Sequence, residues 1–128
     1  MGQTRSRVVP AKGLGPFGES WAKAYLEGLG YRVLAVNFRC ALGEIDLVAE
    51  EGGELVFIEV KTRRNIAFGY PEEQLSSSKK RRLVKLAQWY LKRYRRKERP
   101  ARFDVVAILM TKEGRVAETR LISNAFSL

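Results

Sequence analysis

Two adjacent glycines, Gly52-Gly53, constrain this 128-residue chain more than any other feature. They separate two runs of strand character, Gly43 to Glu50 and Glu54 to Thr62. A Gly-Gly pair between such runs is a two-residue hairpin signal, because the tight turn needs positive φ at both central positions. If the two glycines are the whole loop, paired positions sum to 105. Ile45 then faces Val60, Leu47 faces Ile58 and Ala49 faces Val56. All six are apolar and are expected on one face, packed against a helix.

The same register forces the opposite face. It sets Asp46 across from Glu59 and Glu44 across from Lys61, with Val48 and Phe57 continuing that face inward. Carboxylates directly opposed about 5 Å apart destabilise a strand pair. Lys61, two residues from Glu59, is one neutralising partner; a divalent cation is the other. Two carboxylates and an ammonium on a rigid hairpin suit Mg²⁺ or Mn²⁺, with coordination positions left for water and a phosphate oxygen. The lysine would orient or help deprotonate the attacking water, or steady developing charge. A plain solvated face, with Lys61 bridging Glu59 or Glu44, accounts for the spacing equally well.

Composition narrows the chemistry. The chain has no His and one Cys, Cys40. Imidazole bases, Ser-His-Asp and Cys-His nucleophiles, His-bearing zinc sites and internal disulfides are excluded. The metal ligands left are oxygens, which favour hard cations. The net charge of +10 points to a polyanion, nucleic acid before anionic membrane. No apolar run approaches the roughly 18–20 residues of a membrane span, and the basic start of the chain has no apolar core of a secretory signal. A cytoplasmic protein is expected, which a single Cys fits.

Around the hairpin, residues 1–17 read as a flexible basic arm and 18–128 as a single domain. Ala22, Tyr25, Leu26 and Leu29 keep helical spacing over Gly18 to Leu29, with Gly30 just past the end. Tyr31 to Arg39 reads as a strand, Lys79 to Tyr94 as a helix capped from Ser76 to Ser78, and Phe103 to Met110 and Arg115 to Ile122 as strands. A helix between the third and fourth strands permits a parallel crossover, so a mixed sheet flanked by helices is expected. Between Lys79 and Arg102 lie 12 of the 24 Lys and Arg residues, against Glu98 alone. Lys79, Lys80, Arg81, Arg82 and Lys85 are therefore candidate phosphate contacts, with Arg63 beside the hairpin. Nothing in the chain resembles a base-reading motif, so backbone or shape recognition of DNA is expected. Gly13 to Gly18 matches G-x-G-x-x-G, but no strand precedes it and Pro16 interrupts it, so dinucleotide binding is rejected.

Gly43-Glu44-Ile45-Asp46-Leu47-Val48 followed by Phe57-Ile58-Glu59-Val60-Lys61-Thr62-Arg63 resembles the D…E-x-K signature of the PD-(D/E)xK nuclease superfamily. With Gly18-Glu19, Gly30-Tyr31, Asn37, Phe68-Gly69, Pro71-Glu72, Lys79 and Arg102-Phe103-Asp104-Val105-Val106, the chain is similar to the YraN-like family, related to Holliday-junction resolvases. One departure is that Ile45, not proline, precedes Asp46. The resemblance implies a restriction-endonuclease-like αβββαβ core. It implies metal ligation by Asp46, Glu59 and the Val60 carbonyl, with Glu19 as a further acidic candidate, and water activation by Lys61. It also implies Mg²⁺ or Mn²⁺ as cofactor, hydrolysis of DNA phosphodiesters, branched or junction DNA as substrate, and a homodimer. The alternative is a non-catalytic nucleic-acid-binding or adaptor protein on the same fold.

Overall fold

The structure, a computed structural model, describes residues 14–64, 75–94, 96 and 98–126. The elements run α1 (Leu14–Gly28), β1 (Arg32–Cys40), β2 (Gly43–Glu51), β3 (Glu54–Arg63), α2 (Ser77–Arg93), β4 (Ala101–Met110) and β5 (Val116–Phe126). The five strands form one mixed sheet in the order β1-β2-β3-β4-β5. All neighbours are antiparallel except β3 and β4, which are parallel and joined through α2. This is the expected restriction-endonuclease-like αβββαβ order with one further strand.

Local chemistry accounts for the element ends. Gly52 and Gly53 both have positive φ, 58° and 81°, as a tight hairpin turn requires. The observed pairs Leu47↔Ile58, Val48↔Phe57 and Ala49↔Val56 have the expected register. Helix α1 closes with Gly30 at φ 97°, where the Gly30 N–H donates to Glu27 O and the Tyr31 N–H to Leu26 O. Ser76 caps α2, its hydroxyl accepting from the Lys79 N–H at 3.1 Å. Helix α1 starts earlier than its apolar spacing indicates, taking residues 14–17 of the stretch expected as an arm. Pro16 falls in its first turn, where a missing N–H costs no helical bond. Residues 1–13 and the Phe68, Gly69, Pro71 and Glu72 positions lie outside the described residues.

The sheet lies between the two helices. On one face Val48, Leu55, Phe57, Phe103 and Val105 pack against Leu83, Leu86, Ala87 and Tyr90 of α2. On the other, Leu47, Ala49, Val56, Ile58, Val106 and Ile108 pack against Ala22 and Leu26 of α1. Burying side chains of this size contributes about 1.5–3 kcal/mol each. Ile45 departs from expectation: it packs with Val48 and Phe57 on the α2 face, opposite Leu47 and Ala49. The cause is a break in alternation. Asn37 of β1, between the pairs Val36↔Leu47 and Phe38↔Ile45, has a left-handed φ of 57°. The β2–β3 ladder ends at Leu47↔Ile58, so β3 does not hold Ile45 in the phase of Leu47, and Ile45 follows its β1 partner Phe38 to the α2 face.

One polar network is sealed inside. Asp104 is fully buried, and its carboxylate accepts from Tyr31 Oη at 2.7 Å, Arg102 Nε at 3.0 Å and the Asn124 N–H at 2.8 Å. Arg102 extends to Glu51 and Glu54 beside the hairpin turn, at 2.7 and 2.6 Å. Among the described residues no helix is long and apolar enough to cross a membrane.

Candidate functional site

The site lies where β2 and β3 part. Beyond Leu47↔Ile58 the ladder is replaced by a side-chain bond, in which Asp46 Oδ2 accepts from the Val60 N–H at 2.8 Å. Asp46 and Glu59 therefore meet at the mouth of an opened hairpin, not as a regular cross-strand pair. They border two adjoining pockets of about 310 and 370 Å³, which also share Lys79.

Four elements supply the site. Helix α1 brings Glu19 to the pocket that Asp46 and Glu59 line. Gly18 makes that approach possible: a Cβ there would lie 2.6 Å from Thr62 Oγ1 on β3. Strand β3 supplies Glu59 and Lys61, whose Nζ is 3.6 Å from Glu59 Oε2. Helix α2 supplies Lys79, whose Nζ reaches the same Glu59 oxygen at 2.6 Å. Glu44 is turned away from Lys61 to pair with Arg39 at 3.3 Å.

The electrostatics follow from crowding these charges in a half-buried place. Burial, then the Glu59 charge, pushes the Asp46 carboxyl up to about 7, against relief from the Val60 N–H and Lys79. Burial, then the Glu44 charge, also raises Glu19. Burial pulls the Lys61 amine down, and neighbouring Lys79 adds to this. Lys79 moves the other way: burial opposes its charge, but Glu59, Lys61 and Asp46 together outweigh burial and raise it. The two lysines are thus separated in acidity, Lys61 giving up its proton more readily and Lys79 keeping its own.

The donor set fits a hard divalent cation: Glu19, Asp46 and Glu59 offer carboxylate oxygens, and their mutual repulsion is what a cation would relieve. Among the described residues no three such side chains converge at ligating distance as the site stands. Lys79 holds the Glu59 oxygen instead. Val60, whose carbonyl is the expected further ligand, is among the residues lining the same pocket as Glu19, Asp46 and Glu59.

The candidate DNA contacts divide. Arg63 and Arg82 border the acidic pockets. Lys80, Arg81 and Lys85 line a separate groove between α2 and Phe126 at the end of β5, where Lys80 lies 5.7 Å from the Phe126 ring centre. Tyr90 is core, against Phe57 and Phe38. Tyr94 is exposed. Sequence reasoning set Gly18 at the start of the helix and gave neither Gly18 nor Thr62 a site-shaping role; the earlier start of α1 and its approach to β3 supply it.

Comparison with known proteins agrees with the resemblance in sequence. A family model described as an uncharacterised protein family, UPF0102, matches residues 18–108. A UPF0102 protein of Caldicellulosiruptor saccharolyticus is 45% identical over 113 residues, covering 88% of this chain and 96% of that one. One from Symbiobacterium thermophilum is 48% identical over 113 residues, covering 88% and 95%. Among solved structures, SfsA of Pyrococcus furiosus in complex with Ca²⁺ aligns at a TM-score of 0.42 and 16% identity, over 96% of this chain and 72% of that one. So distant a likeness carries no argument about this chain.

Proposed function

The chain belongs to the UPF0102, or YraN-like, family, and from that premise we propose that it is a metal-dependent endonuclease hydrolysing DNA phosphodiesters, branched or junction DNA included. The observation that carries the reading is Asp46, Glu59 and Glu19 around one open pocket with Lys61 and Lys79. Such a set has little structural purpose, because like charges held together cost stability.

Mg²⁺ or Mn²⁺, held by Asp46, Glu59 and the Val60 carbonyl with Glu19 as a further ligand, would act as a Lewis acid on water and on the phosphate oxygens. The chain's own residues do the rest. The Asp46–Val60 bond keeps the hairpin mouth open and the carboxylate aimed. Lys61, its amine pulled down in pKa, accepts the proton of the attacking water as the new P–O bond forms. The bond to the leaving oxygen breaks with its electron pair, and solvent returns a proton. Lys79, which stays charged, faces the phosphate's non-bridging oxygens. Arg63 and Arg82 flank the path of the backbone. A homodimer would present two such sites to a branched substrate.

A cleavage assay with linear, single-stranded, flapped and four-way-junction DNA in Mg²⁺, Mn²⁺ and EDTA tests this reading. Asp46→Asn, Glu59→Gln and Lys61→Ala should each lose cleavage while keeping fold and DNA binding. One observation favours a second reading, a non-catalytic nucleic-acid-binding or adaptor protein: the cationic groove of α2 beside Phe126 needs no metal. That reading requires salt-dependent binding indifferent to EDTA, with DNA left intact in both metals.

A further inference from the structure

Glu59 Oε2 is doubly engaged, by Lys79 at 2.6 Å and Lys61 at 3.6 Å. It is an oxygen that a divalent ion at this site would need. An ammonium at contact distance and a divalent cation repel each other strongly in a half-buried setting, so the two compete for Glu59. The lysines differ in freedom: the Lys61 side chain is 13% exposed and the Lys79 side chain 29%. Lys79 sits in the first turn of α2, which Ser76 caps, and borders both pockets. Its long stem can carry the charge from Glu59 into that open space, where a phosphodiester would lie.

We propose that Lys79 is a placeholder cation, holding Glu59 until a divalent ion displaces it and then engaging a non-bridging oxygen of the substrate phosphodiester. Metal and phosphodiester therefore bind cooperatively, each raising the affinity of the other by the same factor. The protein alone holds the metal weakly, and the site completes itself on the substrate. This inference rests on the metal-dependent phosphodiesterase reading.

The test is Mn²⁺ binding followed by the electron paramagnetic resonance of the free ion. It uses the full chain and its Lys79→Met, Lys79→Arg, Lys80→Met and Asp46→Asn variants, with and without a phosphorothioate dinucleotide. Lys79→Met should bind Mn²⁺ about tenfold tighter than the parent. Lys80→Met, which removes the same charge one residue along, should stay within about twofold, since Lys80 lines a separate groove beside Phe126 and neither acidic pocket. Lys79→Arg should stay near the parent. The dinucleotide should tighten Mn²⁺ binding in the parent but not in Lys79→Met. Equal affinity in parent and Lys79→Met overturns the proposal, as does equal tightening by the dinucleotide in both. If the parent binds no Mn²⁺ saturably and Asp46→Asn changes nothing, the metal-dependent reading itself falls and takes this inference with it.

Discussion

Replacing Asp104 with alanine should be among the costliest single changes in this protein, although Asp104 takes no part in the proposed chemistry. Its carboxylate is fully buried and accepts from Tyr31 Oη, Arg102 Nε and the Asn124 N–H, at 2.7, 3.0 and 2.8 Å. Removing one partner of a buried charged pair costs about 3–5 kcal/mol, because the other charge is left uncompensated. Arg102 would keep Glu51 and Glu54 at 2.7 and 2.6 Å, which moderates that cost. The Tyr31 hydroxyl and the Asn124 N–H would lose their acceptor, at about 1 kcal/mol each or more. The Asn124 bond matters further, since Asn124 has φ 54° at the irregular stretch where β5 pairs with β4. The expected total is about 3–4 kcal/mol, from a stability of roughly 5–15 kcal/mol for a domain. Tyr31→Phe removes two bonds, the one donated to Asp104 at 2.7 Å and the one accepted from Arg102 Nη2 at 3.1 Å, and should cost about 1–3 kcal/mol. Urea denaturation of both variants and their double mutant measures this, the coupling term reporting the Tyr31–Asp104 bond. A cost below about 1 kcal/mol for Asp104→Ala would mean that this network does not hold the fold, because a sealed acceptor with an arginine partner cannot be that cheap to remove.

Three more outcomes follow from the site and the basic helix. Burial and the Glu59 charge push the Asp46 carboxyl from the ordinary carboxylate range near 4 up to about 7 in the folded protein, so the native state binds its proton more tightly than the unfolded chain. In EDTA, stability should therefore fall as pH rises through that window and level off above it. Asp46→Asn should be more stable than the parent at pH 8, by roughly 2–4 kcal/mol at most; a variant no more stable in urea at pH 8 contradicts this. Gly18→Ala should destabilise by about 1–2 kcal/mol despite alanine's better helix propensity, since the new Cβ meets Thr62 Oγ1 at 2.6 Å. In a Thr62→Ala background the same change should become neutral or favourable by up to about 1 kcal/mol; an unchanged penalty in thermal melts would place the conflict elsewhere. DNA affinity should fall steeply with salt, and Lys80→Ala, Arg81→Ala and Lys85→Ala should each reduce the log–log slope by about 1. Anisotropy titrations between 50 and 200 mM salt read this directly, and an unaltered slope removes these residues from the interface.

Much of this architecture is legible in the chain because its signals are local. The Gly52-Gly53 turn and the alternation around it yield the register Leu47↔Ile58 without reference to any distant residue. That register in turn brings Asp46, Glu59 and Lys61 to one place. The failures are tertiary. Ile45 changes face because a left-handed Asn37 on the neighbouring strand and the parting of β2 from β3 break the alternation. Asp46 reaches the Val60 N–H rather than standing square to Glu59, which strand pairing alone does not contain. Lys79 reads as one of a run of cations, and only the docking of α2 brings it onto Glu59. Asp104 stands out as a charge within an apolar strand, but its partner Tyr31 lies 73 residues away.

One variant, Glu59→Gln, decides whether the carboxylates at the hairpin mouth make a metal-dependent nuclease. Parent protein and Glu59→Gln, purified free of host nuclease, are incubated with labelled linear, single-stranded, flapped and four-way-junction DNA in Mg²⁺, Mn²⁺ or EDTA. The parent should cleave in metal alone and Glu59→Gln should not cleave, with both proteins binding DNA alike. Cleavage retained in Glu59→Gln would contradict the site assignment, and DNA left intact by the parent in both metals would contradict the enzyme.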